Sequence, residues 1–342
     1  MGAVDTLDRA QRRFPPVGLP LAVVYKFVDD QGAYLAAIIT YYAFVAIFPL
    51  LLLASSVLGF VLQGNPELQA RALDSALAQF PVVGDQLGTP EGLTGSAGAV
   101  IAGGLVALYG SLGLGTAAQN AMNVAWSVPR NSRPNPIVLR LKSLVLLLAA
   151  GVAVLALTGL SVVARETGLV AATSTPATRW LVSAVTVLLI AFVLTLLFRL
   201  AAARDHPWWY AAPGGLFVAV MWQLLQLASA AYVNRVLAET SSMNQTFGVV
   251  LGLIGLIFLA AGIAVLGIEL NVVIARRLWP RALLTPFTDA VDLTEADQRA
   301  YASYAKAQRH KGFEAVTVTF EPRDEPADES ADPAPDGRTT ET

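Results

Sequence analysis

Six stretches of this chain contain no Asp, Glu, Lys or Arg, and their lengths constrain the fold more than any other feature. They cover residues 31–66, 92–129, 143–164, 180–198, 206–234 and 240–268. A helix rises about 1.5 Å per residue and needs roughly 20 residues to cross a hydrocarbon core about 30 Å thick. We therefore predict an all-α polytopic membrane protein with six transmembrane helices, near residues 35–62, 97–117, 144–164, 180–199, 211–233 and 247–270.

Composition narrows the possible functions. The chain is 55% apolar and 14% charged, whereas an ordinary soluble protein is about 25% charged. Its net charge of -2 offers no basic surface for nucleic acid. The absence of Cys and the presence of only two His, His206 and His310, disfavour disulfides and metal centres. With no HExxH, GxSxG or Walker sequence, we expect no catalytic residues, no metal and no cofactor, and hence not an enzyme.

The distribution of Lys and Arg predicts the orientation, because basic connections stay on the cytoplasmic side. Thirteen basic residues fall in the N-terminal arm, the second and fourth connections and the exit from the sixth span: Arg9, Arg12, Arg13, Lys26, Arg130, Arg133, Arg140, Lys142, Arg199, Arg204, Arg276, Arg277 and Arg281. The other connections hold four: Arg71, Arg165, Arg179 and Arg235. We predict a multi-pass protein of the bacterial inner membrane with both termini in the cytoplasm.

The chain is predicted to divide into four parts. Residues 1–30 are predicted to form a cytoplasmic arm whose residues 19–29 make an amphipathic helix on the membrane surface, with Pro20 in its first turn. The transmembrane domain covers 31–277, and its long outer connection is predicted to hold a short helix between Asn65 and Phe80. Residues 278–311 form a helical extension in which Thr294 caps a helix running to about Arg309. The acidic residues 312–342 are predicted to be a disordered tail.

One ionisable side chain, Glu269, lies in an otherwise apolar run toward the end of a span, followed by Asn271. Charged groups at that depth are costly and face the bundle interior. A structural ion pair, for which Arg276 two turns later could share the same helix face, or an interhelical hydrogen bond is favoured over a functional carboxylate. Other polar residues continue the second span and share the inner interface: Gln119, Asn120 and Asn123. They either meet Glu269 around one cytoplasmic mouth or mark a helix leaving the membrane, and both interpretations stay open here.

Two further groups are candidates for a polar route or for helix packing. Tyr41 and Tyr42 lie about two turns inside the first span, and Pro49 interrupts it. Small residues are concentrated in the second span and at the start of the sixth: Gly103, Gly104, Gly110, Gly113, Gly248 and Gly252. The simplest interpretation of these glycines is close packing of spans two and six. The alternative interpretation is that they form a hinge.

The order of several motifs resembles a known family. The motifs are Tyr41-Tyr42-Ala43-Phe44 with Phe48-Pro49-Leu50, Asn120 to Trp126 with Pro129 and Arg133, Pro213-Gly214-Gly215 with Trp222 and Tyr232, and Phe247-Gly248 with Gly267-Ile268-Glu269-Leu270-Asn271. From about Phe27 to Arg277 the chain resembles the YihY/virulence factor BrkB family, which includes YhjD-type envelope integrity proteins. The resemblance implies a six-span inner-membrane protein linked to envelope integrity, with export of a lipid or glycolipid suggested for YhjD-like members.

Three functions follow as hypotheses. The leading one is a transporter or flippase-like protein that moves an envelope lipid or lipid-linked precursor, with membrane lipids as its partners. The alternative is a structural or scaffolding protein that organises envelope machinery, with a cytoplasmic partner binding the acidic tail. Transport of a soluble substrate or ion is a third. The older ribonuclease label of the family finds no support here, because the chain has no basic surface or catalytic set. The sequence predicts no oligomeric state.

Overall fold

A computed structural model describes residues 8–9, 11–61, 97–166, 176–203, 207–232, 242–285 and 291–321. Within these ranges the structure contains helices and no strand. The α-helices are α1 (Pro15–Asp29), α2 (Gly32–Val61), α3 (Ala97–Ala125), α4 (Pro136–Glu166), α5 (Pro176–Ala201), α6 (Trp208–Tyr232), α7 (Ser242–Arg276) and α8 (Glu295–Ala307).

The apolar helices support a membrane protein. Four segments are long and apolar enough to cross a bilayer by length and composition: Pro136–Leu157, Trp180–Ala201, Trp208–Ala228 and Val250–Arg276. A shorter apolar segment, Gly32–Ala46, lies in α2. Each of the six predicted spans overlaps one helix, from α2 to α7, although a count of six spans stays a prediction. The short helix predicted between Asn65 and Phe80, and most of the acidic tail, lie outside the described residues.

Contacts between helix ends show that α2 to α7 alternate in direction. The carbonyl oxygen of Trp126, just after α3, accepts from Arg276 at the end of α7. Lys142, in the first turns of α4, donates to the carbonyl of Ala202, just after α5. We call the end at which α3, α5 and α7 finish and α2, α4 and α6 begin the charged end of the bundle. The helices α1 and α8 also pack there, so both lie at one end, which the charge count predicts to be cytoplasmic.

The helices α2 to α7 form a ring. Consecutive helices pack against each other, and α7 returns to pack against α2. The contact between α4 and α5 is the sparsest in this ring, and pairs across it, such as α2 with α5 and α4 with α7, make at most marginal contact in the described ranges. In the apolar window of α4 a smaller share of the residues is buried than in the other three candidate spans. Therefore α4 is the helix held least tightly by its neighbours.

Two glycines of the second span, Gly110 and Gly113, pack against the first span, whereas packing of the second span's glycines against the sixth stays a prediction. A Cβ at Gly110 would overlap Val45 of α2, and one at Gly113 would overlap the ring of Tyr42. Glycine is required there because the helix backbones approach too closely for a side chain. Gly248 and Gly252 are half-buried in the first turns of α7. The surroundings of Gly103 and Gly104, and the side chain of Pro49, lie outside the described part of the structure.

Helix α1 differs from the predicted surface helix in two respects. It begins at Pro15 rather than near Leu19, and Pro20 lies inside it. The reason is that two prolines already occupy the first turn, where no N–H needs a partner. One face of α1 is buried against the bundle, with Ala22 and Lys26 fully inaccessible. The opposite face exposes apolar side chains suited to a membrane surface, namely Phe14, Val17, Val24 and Val28.

The predicted cap of α8 is confirmed. Thr294 Oγ1 accepts from the backbone N–H of Asp297 at 3.1 Å, and the Asp297 side chain accepts from the backbone N–H of Thr294 at 2.9 Å. This reciprocal pair is a capping box, which satisfies two N–H groups that the helix leaves unbonded. The helix ends at Ala307, two residues before the predicted end near Arg309.

We expect Thr294→Ala to destabilise α8 by about 1 kcal/mol, because this substitution removes the cap. Hydrogen exchange followed by mass spectrometry should then show about fivefold faster exchange in the peptide 295–307. Thr317→Ala removes an exposed threonine and serves as the control. Equal exchange rates in α8 of both variants would contradict the assigned role of the cap.

Candidate functional site

Glu269 is fully buried at the charged end of α7. Lys26 Nζ of α1 lies 3.4 Å from Glu269 Oε2 and also bonds the carboxylate of Asp30. The sequence suggested an ion pair with Arg276, and that partner was wrong. Arg276 lies over the ring of Trp126, 5.8 Å from its centroid, and donates to the Trp126 carbonyl. Glu269 therefore joins α7 to the N-terminal helix.

A second buried ion cluster adjoins the first. Arg281, fully inaccessible, bonds Asp297 of α8 and lies 3.1 Å from Asp29 of α1. Tyr304 of α8 links the two clusters, because its hydroxyl donates to Asp29 at 3.3 Å and its ring lies 5.0 Å from Lys26 Nζ. We call the six ionisable groups of both clusters the ionic network: Lys26, Asp29, Asp30, Glu269, Arg281 and Asp297.

The ionic network contains four carboxyl groups but only two basic groups. Burial raises the pKa of Asp30, although the Lys26 ammonium opposes that shift. Burial, together with the negative charges of Asp30 and Asp29, also raises the pKa of Tyr304. Burial lowers the pKa of Arg281, but the hydrogen bond from Arg281 to Asp297 and the nearby carboxylates outweigh this and hold it above its usual value. The network thus carries an excess of acidic groups in a buried environment.

The polar residues predicted to share one mouth with Glu269 are divided among different helix contacts. Gln119, almost fully buried, donates to Ser143 Oγ at 2.8 Å and to the carbonyl of Leu139 at 3.1 Å, and so binds α4. Asn123 is also buried, and its Oδ1 has no hydrogen-bond partner within the described ranges. Asn120 is half-buried.

Asn271 lies on a different side of α7 from Glu269. Its Oδ1 accepts from the backbone N–H of Gly214 at 2.7 Å, which joins α7 to α6. Two residues along a helix correspond to a rotation of about 200°, so two such side chains point to opposite sides. The sequence placed both residues at one site because they are close in the chain, whereas the helix separates them.

The tyrosines of the first span form a cluster with one residue of the second. The rings of Tyr41 and Tyr42 lie 5.1 Å apart, and those of Tyr42 and Tyr109 of α3 lie 6.3 Å apart. Tyr41 is 59% exposed and Tyr109 is 63% exposed. We call these three residues the tyrosine cluster. Tyr109 was missed in the sequence because nothing in its local context distinguishes it from a packing residue.

Sequence reasoning also missed most of the ionic network. The sequence did contain a signal for the pair of Lys26 and Asp30. These residues are four apart, as in a helical ion pair, and they directly precede the first uncharged stretch. No comparable local pattern joins Arg281 to Asp297 or Asp29, because those pairs are made by tertiary packing. In the part of the chain that the structure describes, no group of three or more His, Cys, Asp or Glu side chains is placed to hold a metal ion.

Comparison with known proteins agrees with the motifs and the helical architecture. The family description "Virulence factor BrkB" matches residues 23–287, which include the tyrosine cluster, Glu269 and Arg281. Neither the curated proteins nor the solved structures yield a significant match to this chain. Since the family match covers most of the chain, this membrane protein belongs to the virulence factor BrkB family.

Proposed function

We propose that this protein transports or flips an envelope lipid or a lipid-linked precursor across the bacterial inner membrane. The observation that carries the proposal is the tyrosine cluster. Tyr41 lies six residues after the predicted start of the first span near residue 35, which corresponds to about 9 Å along the helix axis. That distance is inside a hydrocarbon core about 30 Å thick.

Exposed tyrosines inside the hydrocarbon core are unexpected in a purely structural helix, because membrane tyrosines are enriched at the interface rather than deeper in the bilayer. A lipid headgroup passing along α2 and α3 would hydrogen-bond these hydroxyls, while its acyl chains stay in the bilayer. The proposal therefore assigns the headgroup contact to the tyrosine cluster and involves no chemical step.

This assignment differs from the one that the sequence favoured for Glu269. That carboxylate lies beneath Lys26 and Asp30 and is inaccessible, so it does not meet a headgroup in this conformation. The tight packing of Gly110 and Gly113 against α2 likewise disfavours the second span as the moving part. The sparsely held α4 is the better candidate for a movement that opens the ring toward lipid.

The test is lipid movement in liposomes of phosphatidylethanolamine and phosphatidylglycerol that contain a headgroup-labelled fluorescent lipid. A membrane-impermeant quencher measures how fast the label reaches the outer leaflet. We expect the double variant Tyr41→Phe/Tyr109→Phe to slow movement roughly thirtyfold, because each of the two hydroxyls contributes about 1 kcal/mol of hydrogen bonding, a factor of about five. Tyr34→Phe is the matched control, because Tyr34 is an exposed tyrosine near the start of α2.

Each outcome separates the candidate functions. A rate equal to wild type in the double variant would remove the role of the tyrosine cluster. No movement of any labelled lipid by the wild-type protein would count against transport and leave the scaffolding alternative, in which the acidic tail binds a partner. Equal slowing in Tyr34→Phe would show a nonspecific effect of losing a tyrosine hydroxyl.

A further inference from the structure

The buried carboxylate of Glu269 is incompletely satisfied. Its nearest cation, Lys26 Nζ, is at ion-pair distance, 3.4 Å, but also bonds Asp30. Neither oxygen of Glu269 accepts a hydrogen bond from any described residue, although both are buried. Leaving a buried acceptor of this kind unpaired costs free energy, and the cost is larger for a charged group.

We propose that Asp30 and Glu269, with Lys26 between them, form a proton-binding site that holds one exchangeable proton. The proton comes from water at the charged end and adds to one carboxylate oxygen, so that the group becomes a neutral carboxyl. No other bond forms or breaks. With one proton bound, the Lys26 ammonium faces a single carboxylate.

The neighbouring charged groups do not supply the missing compensation. Arg281, on the segment after α7, is bonded to Asp297 of α8 and to Asp29 of α1. From α8, Tyr304 contributes a hydroxyl that donates to Asp29, and Tyr301 lies with its ring 5.4 Å from the Arg281 guanidinium. Among the described residues, charge balance around Asp30 and Glu269 therefore depends on Lys26 and on the added proton.

The proton site adds a coupling ion, the proton, to the proposed function. The role of this proton in transport rests on the proposed function. Release of the proton leaves two buried carboxylates beside one ammonium and weakens the contact of α1 with α7. A proton taken up or released at this contact would thus bias the position of α1 at the charged end. Proton binding itself does not depend on whether the protein moves a lipid.

Infrared difference spectroscopy of the purified full-length protein tests the site directly. Between about pH 5 and about pH 9, above the ordinary carboxyl pKa of about 4, we expect a protonated-carboxyl band that disappears as the pH rises. The band should be lost in Glu269→Gln and shifted or lost in Asp30→Asn. Glu295→Gln is the control, because the Glu295 side chain is 93% exposed, and it should keep the band.

Thermal unfolding in detergent gives a second readout. The folded protein would bind this proton more tightly than the unfolded chain does, so the free energy of unfolding falls as the pH rises through the folded-state pKa. We expect the wild-type melting temperature to fall by roughly 3 °C as the pH rises through the folded-state pKa. The melting temperature of Glu269→Gln should depend less on pH. Burial raises the pKa of Asp30 in the folded protein, which agrees with this sign.

Three results would overturn the proton site. They are the absence of the infrared band in wild type, its full retention in Glu269→Gln, and a melting temperature that responds to Na⁺ but not to pH. The first concerns the wild-type protein alone and does not depend on whether a variant folds. If the infrared band is present but no lipid moves, the proposed function fails and the proton site stands. If lipid moves but the band is absent, the proton site fails and the proposed function stands.

Discussion

Arg281→Ala should lower the free energy of unfolding by about 3–5 kcal/mol, the usual cost of breaking a buried pair by removing one partner. The guanidinium is fully inaccessible and is the cation that pairs with Asp297 of α8 and Asp29 of α1. Its removal leaves two carboxylates unpaired in a buried environment. This loss is the cost of leaving buried charges without a partner. It is not the net contribution of the intact pair, because an intact buried ion pair adds little stability after its desolvation cost.

Chemical denaturation in detergent, followed by helical circular dichroism, measures this loss. Arg299→Ala is the matched control because Arg299 makes an exposed ion pair with Glu295, 3.4 Å apart on the surface of α8. Exposed pairs contribute about 0–1 kcal/mol. A loss in Arg281→Ala as small as that in the control would show that α1 and α8 do not depend on this arginine.

The second large effect concerns the contact of α6 with α7. In Gly214→Ala the added Cβ would overlap the carbonyl oxygen of Gly267, a backbone atom that cannot rotate away, and also the amide of Asn271. We expect the free energy of unfolding to fall by about 1–3 kcal/mol, as for other overpacked sites. The 2.7 Å hydrogen bond from the Gly214 N–H to Asn271 would be lost or lengthened as the helices separate.

The matched control is Gly255→Ala in α7, where an added Cβ meets no atom within 4 Å. Alanine favours a helix over glycine by up to about 1 kcal/mol, so this variant should be neutral or more stable than wild type. Opposite signs for the two substitutions, measured by the same denaturation, would confirm that close backbone approach is specific to Gly214. Equal effects would contradict it.

Both predictions concern contacts that hold the charged end together. Arg281 ties α1 and α8 to the segment after α7, and Gln11 supports the same segment by donating to the carbonyl of Arg281 at 2.6 Å. Side chains of α1 and α8 therefore meet around Arg281 and Tyr304 in a layer beside Glu269. A change that loosens this layer would also expose the proposed proton site, which makes Arg281→Ala a useful background for the infrared experiment.

The helices of the bundle were predictable because their signal is local. A stretch of about 20 residues without charge needs no information about its neighbours to be assigned as a span. The cap of α8 was predictable for the same reason, since Thr294 and Asp297 are three residues apart. The start of α1 was misjudged because Pro20 is a weaker local signal than the two prolines that precede it.

The sites were less predictable, because they depend on which helix lies beside which. Glu269 was identified from its own neighbourhood, but its partner Lys26 lies more than 240 residues earlier in the chain. Gln119 was grouped with Glu269 by depth and Asn271 by closeness in the chain, whereas the rotation of each helix directs them toward α4 and α6. Similarly, the glycines of α3 indicated close packing but not that the partner was α2.

Charge placement along the chain is sufficient to establish a helical membrane protein and to predict its orientation, because the cost of burying charge in a bilayer acts on each residue separately. Pairing of the few charges that are buried is a different problem. An ammonium and a carboxylate stabilise each other only within a few ångströms, and helix packing brings Lys26, Asp30 and Glu269 that close. Tertiary structure therefore decided that the isolated carboxylate of the sequence is part of a buried ionic network that joins both terminal helices to the bundle.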